Sequence, residues 1–410
     1  MTHVIVGAGP AGVIAADTLR KVDPDADVVL VGGEPEPPYS RMAIPYYLTG
    51  KIEETGTYLR ADGGHYDSAG INYLQASVEG VDAKAKNLKL AGGGSQAYDS
   101  LLIATGASPI RPPIEGLDQP GVHHCWTLED ARNIIKLAGD GSDVVLIGAG
   151  FIACIILEAL AERGVNLTVV ETLDRMVPRM MNPTAGNMVK RWCEGKGIAV
   201  KTSTKVTALG ADSGGIEVQF DKGDAQKADL VVVATGVASN TGFLDGSGVK
   251  VEDGIIVDDR LATGVDGIYA AGDCAKGPEF GTGGWQVHAI QPTAADHGRI
   301  AAMNMAGGDV RFGGSLNMNV LDTVGLVSAS FGNWEGVGGD HAEAIDEDGF
   351  RYMRLEFDGE HLVGALSLGR TENIGVLRGL IQTRVPLGGW VEKLKADPHR
   401  LVEAYVAGTQ

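Results

Sequence analysis

Two glycine-rich turns constrain the fold of this chain more than any other feature, because each follows an apolar run and precedes a helix-like stretch. The first lies in HVIVGAGPAGVIAADTLRK and has the pattern G-x-G-x-x-G from Gly7. The second lies in VVLIGAGFIACIILEALAERG and has the pattern G-x-G-x-x-A from Gly148. A further apolar run follows each helix-like stretch, so the sequence predicts a β-α-β unit that occurs twice.

Turns of this kind bind dinucleotides for physical reasons. The first glycine permits the tight turn, the second lets the backbone approach a pyrophosphate, and the third small residue lets the helix pack on the strand. The helix N-terminus then offers N–H groups and a positive dipole to the phosphates. An acid after the second strand is expected to bind ribose hydroxyls. Glu171 holds that position in the second unit and favours NAD over NADP, whereas Gly32 holds it in the first and Glu34 is the nearest acid.

Composition excludes several classes of function. A net charge of −19 disfavours binding to nucleic acids and anionic membranes, which are polyanions. The sequence has no apolar run of 18 residues and no signal-peptide pattern. Its four cysteines are scattered, with no C-x-x-C or C-x-x-x-x-C pair. These features predict a cytoplasmic, reduced protein without a membrane span.

Sequence motifs that occur in both halves of the chain are the basis of the domain prediction. SLLIATGASP (100–109) and LVVVATGVAS (230–239) both run from an apolar strand into Ala-Thr-Gly. We therefore predict an α/β fold with two Rossmann-like dinucleotide-binding domains and a C-terminal α+β domain. The predicted boundaries are 1–110 and 241–312 for the two parts of the first dinucleotide-binding domain, 111–240 for the second, and 313–410 for the C-terminal domain.

The order of these motifs resembles the FAD/NAD(P) pyridine nucleotide-disulfide oxidoreductase superfamily. The resemblance covers roughly residues 1–312 and rests on both glycine turns, both Ala-Thr-Gly segments and Ala271-Gly-Asp273. It implies FAD binding by Gly7, Gly9, Pro10, Ala11, Gly12, Glu34, Arg41, Ala104, Thr105, Gly106, Gly272, Asp273, Pro292 and Thr293. It implies NAD(H) binding by Gly148, Gly150, Phe151, Ile152, Glu171, Ala234 and Gly236. A helix that opens at Gln291 is expected to direct its N-terminus at the flavin ring, where reduction creates negative charge.

The likeness is to the branch of this superfamily without a redox disulfide. Where relatives with a single reactive cysteine have C-x-L-P-Y, this chain has Met42, and a thioether cannot act as a thiolate nucleophile. The segment PPYSRMAIPYYLTGKI is instead similar to one found in rubredoxin and ferredoxin reductases and in the flavin end of NADH-nitrite reductases. That similarity implies that Arg41 and Tyr46 lie near the flavin, with Tyr46 at a position where some relatives have lysine.

Several residues leave alternatives open. Many relatives have a glutamate that positions nicotinamide where this chain has Ile155, so the resemblance implies that NADH binds with its nicotinamide less well fixed. Trp285 and His288 precede the helix expected to face the flavin, and either a flavin contact or a packing role is open to them. His123 and His124 lie next to each other on one strand, which disfavours a metal site. We predict no metal.

The C-terminal segment resembles the last domain of rubredoxin-reductase-like and nitrite-reductase-like flavoproteins. It contains a basic strip, defined here as Arg370, Arg378, Arg384, Lys393 and Lys395, and the only acids within residues 365–395 are Glu372 and Glu392. In so acidic a chain, the strip is suited to dock an acidic redox partner. Surface charge that is neutralised locally is the alternative.

The leading hypothesis is therefore an FAD enzyme that accepts hydride from NADH and passes electrons to a small redox protein of the rubredoxin or ferredoxin type. One alternative is a free-standing NADH oxidase or reductase of small molecules. Another is a flavin electron-transfer subunit of a larger complex, with weak or no NADH activity. A homodimer or membership of a redox complex is implied by the resemblance alone.

Overall fold

The computed structural model describes residues 1–212, 214–370 and 372–408. The strands are β1 Thr2–Val6, β2 Asp27–Gly32, β3 Ile71–Gln75, β4 Val78–Asp82, β5 Asn87–Leu90, β6 Ser95–Ala97, β7 Ser100–Ile103, β8 Ala107–Pro109, β9 Val122–His124, β10 Asp143–Ile147, β11 Asn166–Val170, β12 Ala199–Lys201, β13 Val206–Asp212, β14 Gly215–Phe220, β15 Gln226–Ala228, β16 Leu230–Val233, β17 Val237–Ser239, β18 Ile255–Ile256, β19 Ile268–Ala270, β20 Ala275–Pro278, β21 Trp285–Val287, β22 Met318–Thr323, β23 Leu326–Gly332, β24 His341–Asp346, β25 Arg351–Asp358 and β26 His361–Leu368.

The α-helices are α1 Pro10–Val22, α2 Ile44–Leu48, α3 His65–Ser68, α4 Leu128–Leu137, α5 Phe151–Glu162, α6 Pro183–Gly195, α7 Gln291–Met305, α8 Ile374–Thr383, α9 Trp390–Ala396 and α10 Leu401–Gly408. No helix in the described part of the chain is long and apolar enough to cross a membrane.

The chain forms two compact units, and each is built from two separate segments. The first unit comprises Met1–Ser108 and Val237–Ser315. The second comprises Pro109–Gly236 and the segment from Leu316 onward. The structure thus groups the C-terminal segment with the second glycine turn. The domain ranges given above stay predictions.

The first unit contains a parallel sheet with the strand order β19-β7-β1-β2-β3. Its central strands are buried on both faces, which accounts for the continuous apolar run Val4–Val6 rather than an alternating pattern. Helix α1 packs against α7, and the antiparallel sheet β4-β5-β6 and the mixed sheet β18-β20-β21 complete the unit.

The second unit contains a parallel sheet with the order β12-β11-β10-β16-β9, together with the antiparallel sheet β13-β14-β15. In both parallel sheets the strand before the glycine turn lies between the strand before Ala-Thr-Gly and the strand before the ribose acid position. The two sheets differ in the strand that lies beside the strand before Ala-Thr-Gly. In the first sheet this is β19, which follows the glycine turn in sequence, whereas in the second it is β9, which precedes the glycine turn.

The C-terminal segment forms an antiparallel sheet with the order β22-β23-β26-β25-β24 and the helices α8, α9 and α10. Strand β22 packs on α5, the helix that follows the second glycine turn. The predicted α/β fold, with two Rossmann-like sheets and a C-terminal α+β part, is confirmed.

Candidate functional site: two dinucleotide-type turns

The first glycine turn joins β1 to α1, and its geometry explains why glycine occurs there. Gly7 has φ +114, and a Cβ there would lie 2.1 Å from the carbonyl oxygen of Ala104. A Cβ on Gly12 would lie 1.9 Å from the carbonyl oxygen of Gly7. At Gly9 a Cβ would meet no atom within 4 Å. Steric contact with protein therefore requires glycine at two positions, while the middle one faces open space.

The second turn, between β10 and α5, repeats this geometry. Gly148 has φ +109, and a Cβ there would lie 2.4 Å from the carbonyl oxygen of Ala234. Gly150, like Gly9, would have nothing within 4 Å of an added Cβ. Ala153 replaces the third glycine and is buried, so here the helix packs on its strand with a methyl group between them.

The helices that follow these turns have no side-chain cap at their N-termini. Neither Gly9 at the start of α1 nor Gly150 at the start of α5 provides a side-chain cap, and neither first turn contains an acid. By contrast, Thr127 caps α4 and Asn182 caps α6 through side-chain oxygens. The N–H groups of α1 and α5 are therefore free of side-chain caps and suited to an anionic ligand.

Glu171 lies at the end of β11, as predicted, and is buried. Its two carboxylate oxygens accept hydrogen bonds of 2.8 Å from the backbone N–H groups of Ala149 and Leu173. Each oxygen keeps a second lone pair for a ribose hydroxyl. The carboxylate thus fixes Ala149, the residue between Gly148 and Gly150, and no pattern in the sequence signalled this role.

Glu34 is held in a cluster with two neighbours in the same segment. One carboxylate oxygen accepts a 2.5 Å bond from Arg41, and the other accepts a 2.5 Å bond from the hydroxyl of Tyr39. Arg41 also donates to that hydroxyl. Burial is the largest cause that raises the pKa of Tyr39 above its usual range, so the hydroxyl stays protonated. Tyr39 was not singled out from the sequence, although it lies in the segment quoted there.

Asp273 follows β19 in a short 3₁₀ turn that begins at Gly272. Burial raises the pKa of its carboxyl to about 6, and the positive charge of Arg41 partly opposes the shift. The N–H of Gly272 donates to Nδ1 of His297 on α7 at 3.3 Å, which leaves Nε2 as the protonated nitrogen. Nε2 is buried and has no hydrogen-bond partner among the residues that the structure describes. No motif signalled His297 in the sequence.

The structure brings the segment around Arg41 close to the start of α7. The hydroxyl of Ser40 donates to Oε1 of Gln291 at 2.9 Å. Pro292 and Thr293 form the first turn of α7, which has no side-chain cap. Tyr46 and Met42 are about half exposed. Trp285 is half exposed and donates to the carbonyl of Val257 at 2.7 Å.

Ile155 lies on a helix that is apolar almost all round, and it is itself half-buried. Helix α5 packs against β10 and β11 of its own sheet and also against β22. An apolar side chain suits a helix that is covered on two sides. That packing gives a structural reason for isoleucine beside the implied functional one.

The four cysteines are free and buried. Burial raises the pKa of Cys125 and Cys193 to about 12 and also raises that of Cys154 and Cys274. A thiolate at these positions is disfavoured at neutral pH, so none is suited to thiol chemistry. His124 bonds through Nδ1 to the carbonyl of Val233 at 3.0 Å.

Both turns fit the dinucleotides that the sequence implies. Each combines an open space beside its middle glycine with an uncapped helix N-terminus, and a carboxylate follows the second strand of each unit, Glu34 after β2 and Glu171 after β11. The predicted contacts of individual residues with FAD and NAD(H) stay predictions.

Comparison with known proteins places the chain among flavoprotein reductases. Residues 1–295 match the pyridine nucleotide-disulphide oxidoreductase family. Subunit epsilon of NADH-dependent phenylglyoxylate dehydrogenase from Aromatoleum evansii is 30% identical over 401 residues, which cover 97% of this chain and 95% of that protein. Rubredoxin-NAD(+) reductase from Ectopseudomonas oleovorans is 31% identical over 311 residues, or 75% and 80% of the two chains.

A solved structure agrees with these matches. The NAD-dependent persulfide reductase from A. fulgidus has a TM-score of 0.86 and 29% identity, and the match covers 95% of this chain and 78% of that one. Because the family match spans most of the chain and both glycine turns, the protein belongs to the pyridine nucleotide-disulphide oxidoreductase family and is an FAD-dependent NAD(P)H oxidoreductase.

Proposed function

We propose that the protein accepts hydride from NADH and delivers electrons to a small redox protein. The observation that carries this proposal is the presence of two separate turns in one chain that both leave open space beside an uncapped helix N-terminus. FAD supplies the hydride and single-electron chemistry when bound. The protein supplies binding, orientation and electrostatics.

The side chains have distinct parts in this proposal. The turn at Gly7 and the 3₁₀ turn at Asp273 hold FAD, while the turn at Gly148 and Glu171 hold NADH. A carboxylate at Glu171 accepts from a ribose hydroxyl and repels a 2′-phosphate, which favours NADH over NADPH. Arg41 is fixed by Glu34 and Tyr39, so its position is set before any ligand arrives.

The acceptor is inferred from two observations. The buried cysteines with raised pKa values and Met42 argue against a thiol or disulfide acceptor. The relative from Ectopseudomonas oleovorans is named for reduction between NAD and rubredoxin. A single-electron protein carrier therefore fits better than a dithiol substrate.

Anaerobic stopped-flow absorbance of the FAD-loaded protein tests the donor. We expect NADH to bleach the flavin band rapidly and NADPH to bleach it at least about tenfold more slowly, because a buried carboxylate faces the additional phosphate. A rubredoxin or ferredoxin added next should reoxidise the flavin. Failure of both nucleotides to reduce a flavin that dithionite does reduce would contradict the proposal. Rapid reoxidation by oxygen alone would indicate a free-standing NADH oxidase.

A second candidate is a flavin subunit of a larger dehydrogenase complex. The relative that matches nearly the whole of both chains is named as a subunit, and this observation favours the candidate. Native electrophoresis of an extract of the source cells, probed with an antibody, distinguishes the two. A monomer or homodimer supports the free reductase, and a much larger species supports the subunit.

We also assign the protein to the cytoplasm. Four free, buried cysteines suit a reducing compartment.

A further inference from the structure

Ala149, which lies between Gly148 and Gly150 in the second glycine turn, is held through both its N–H and its carbonyl by one segment of the chain. The N–H of Ala149 donates to Glu171, and the carbonyl of Ala149 accepts a 2.8 Å bond from the N–H of Val177. Both partners belong to residues 171–182, defined here as the clamp segment. In the first turn, Glu34 is instead engaged by Arg41 and Tyr39. Ala149 is therefore fixed by contacts that have no counterpart in the first turn within the described part of the chain.

Val177 adopts a backbone conformation that is unfavourable for its side chain. It has φ +44, is fully buried, carries a β-branched side chain and precedes Pro178. Valine is rarely found at positive φ, and a following proline restricts the backbone further. Such a conformation persists only where the surroundings enforce it, and it is concentrated at functional sites.

The surroundings that enforce it are visible in the clamp segment. The carbonyl of Val177 accepts bonds of 2.9 Å from the N–H groups of Met180 and Met181. Arg175 donates through Nε to the carbonyl of Met181 at 3.0 Å and through Nη2 to that of Pro178 at 3.2 Å. Gly186 on α6 leaves room for this loop, since a Cβ there would lie 2.6 Å from the carbonyl oxygen of Met176.

The far end of the clamp segment is anchored by the C-terminal sheet. Asn182 accepts from the N–H of Ala185 through Oδ1, which fixes the orientation of its amide. Its Nδ2 donates to the hydroxyl of Tyr352 on β25 at 2.5 Å, and that hydroxyl donates to Glu343 on β24 at 2.5 Å. Tyr352 is fully buried. Its hydroxyl can serve both partners at once, because it donates one hydrogen and accepts another.

We propose that Tyr352 is a positioning residue for dinucleotide binding at the second glycine turn. It acts through Asn182 and the clamp segment, which holds the Ala149 peptide in the orientation that directs the neighbouring N–H groups at the pyrophosphate. The C-terminal sheet therefore contributes to NAD(H) affinity without touching the dinucleotide. This inference rests on the proposed use of NAD(H) by this turn.

The test compares single substitutions that break the hydrogen bond between Asn182 and Tyr352 in the FAD-loaded protein. The dissociation constant of NAD⁺ is measured by isothermal titration calorimetry for the wild type, Tyr352→Phe and Asn182→Ser. Serine caps helices about as well as asparagine but is too short to replace Nδ2. Tyr66→Phe is the matched control, since it removes a 3.0 Å bond from a partly buried tyrosine to the carbonyl of Leu59 in the first unit.

We expect Tyr352→Phe and Asn182→Ser each to raise the dissociation constant about two- to tenfold, because each breaks the bond between Asn182 and the Tyr352 hydroxyl, the one bond that links Tyr352 to the clamp segment. The double variant should bind NAD⁺ no more weakly than the weaker-binding single variant, because both changes break the bond between Asn182 and Tyr352. Tyr66→Phe should bind NAD⁺ as the wild type does, and the flavin spectrum should not change in any variant. Values within error of the wild type for both Tyr352→Phe and Asn182→Ser would overturn the inference. A wild type that binds no NAD⁺ would instead overturn the proposed function.

Discussion

At the scale of single residues, Gly9 and Gly150 are positions where a bound ligand, and not the protein itself, accounts for glycine. Gly9 and Gly150 have φ values near −80 and −76, which any residue adopts, and an added Cβ meets no protein atom within 4 Å. Nothing in the fold therefore demands glycine there. Space for a pyrophosphate is the remaining physical reason.

We predict that Gly150→Ala raises the dissociation constant of NAD⁺ at least about tenfold, because a methyl group keeps the phosphates from the N–H groups of α5. Stability should fall by no more than about 1 kcal/mol, the usual cost of alanine at a helix N-cap. Calorimetric titration and thermal unfolding check the two effects.

The mirror variant is Gly9→Ala, which should lose FAD while its fold survives. Circular dichroism and flavin content report both properties. If Gly150→Ala bound NAD⁺ normally, the second turn would not be the dinucleotide site.

His297 gives a prediction for the pH dependence of stability. Burial, followed by the nearby His288, lowers its pKa from 6.5 to about 4. The unfolded chain therefore takes up a proton first as the pH falls. The stabilisation is complete above about pH 6.5 and is lost as the pH decreases toward 4, by up to about 1.4 kcal/mol per pH unit.

Asp273 acts in the opposite direction in an overlapping range, since its raised pKa of about 6 stabilises the fold at low pH and that gain is lost as the pH rises through 6. The difference between wild type and His297→Asn isolates the histidine. We expect the variant's free energy of unfolding, measured with urea between pH 7 and pH 5, to fall less steeply than that of the wild type. Parallel slopes would contradict the prediction.

At the scale of elements, the third position of each turn decides how closely a helix approaches its strand. A Cβ on Gly12 would lie 1.9 Å from a backbone carbonyl oxygen, whereas Ala153 already carries a Cβ. We predict that Gly12→Ala prevents folding of the first unit. Ala153→Gly should fold and lose about 1 kcal/mol, the cost of glycine in a helix. Soluble yield and thermal unfolding distinguish the two, and a well-folded Gly12→Ala would refute the steric argument.

Elements whose information is local were predictable from the sequence. The strands, glycine turns and helices around Gly7 and Gly148 follow from apolar runs and spacing within about 30 residues. The contact between Asn182 and Tyr352 joins residues far apart in sequence, and no local pattern encodes it. The Glu34–Arg41 pair is local, yet its formation depends on the turn that the backbone takes after β2. The same limit applies to Glu171, whose position was predictable but whose backbone partners were not.

At the scale of the whole molecule, a net charge of −19 must be reconciled with the proposed docking of an acidic partner. Within the basic strip, Lys395 is paired with Asp340 and Glu392, each at 3.0 Å, and Lys393 lies over the ring of Trp390. Arg384 is exposed and has no ion pair among the described residues. The strip is thus partly neutralised locally, and Arg384 is the member best suited to meet a partner.

The salt dependence of acceptor reduction distinguishes the two electrostatic descriptions by its sign. If the strip docks the partner, kcat/KM for an acidic rubredoxin falls as salt rises, by about tenfold between roughly 20 and 300 mM NaCl, because screening weakens the local attraction. If the net charge dominates, the same screening weakens repulsion and kcat/KM rises. We predict a fall. Arg384→Glu should lower kcat/KM for the rubredoxin at low salt. Lys395→Gln should change kcat/KM little, because that lysine is already paired with Asp340 and Glu392. Flavin reduction by NADH should be unchanged in both variants, which confines the effect to the encounter with the acceptor.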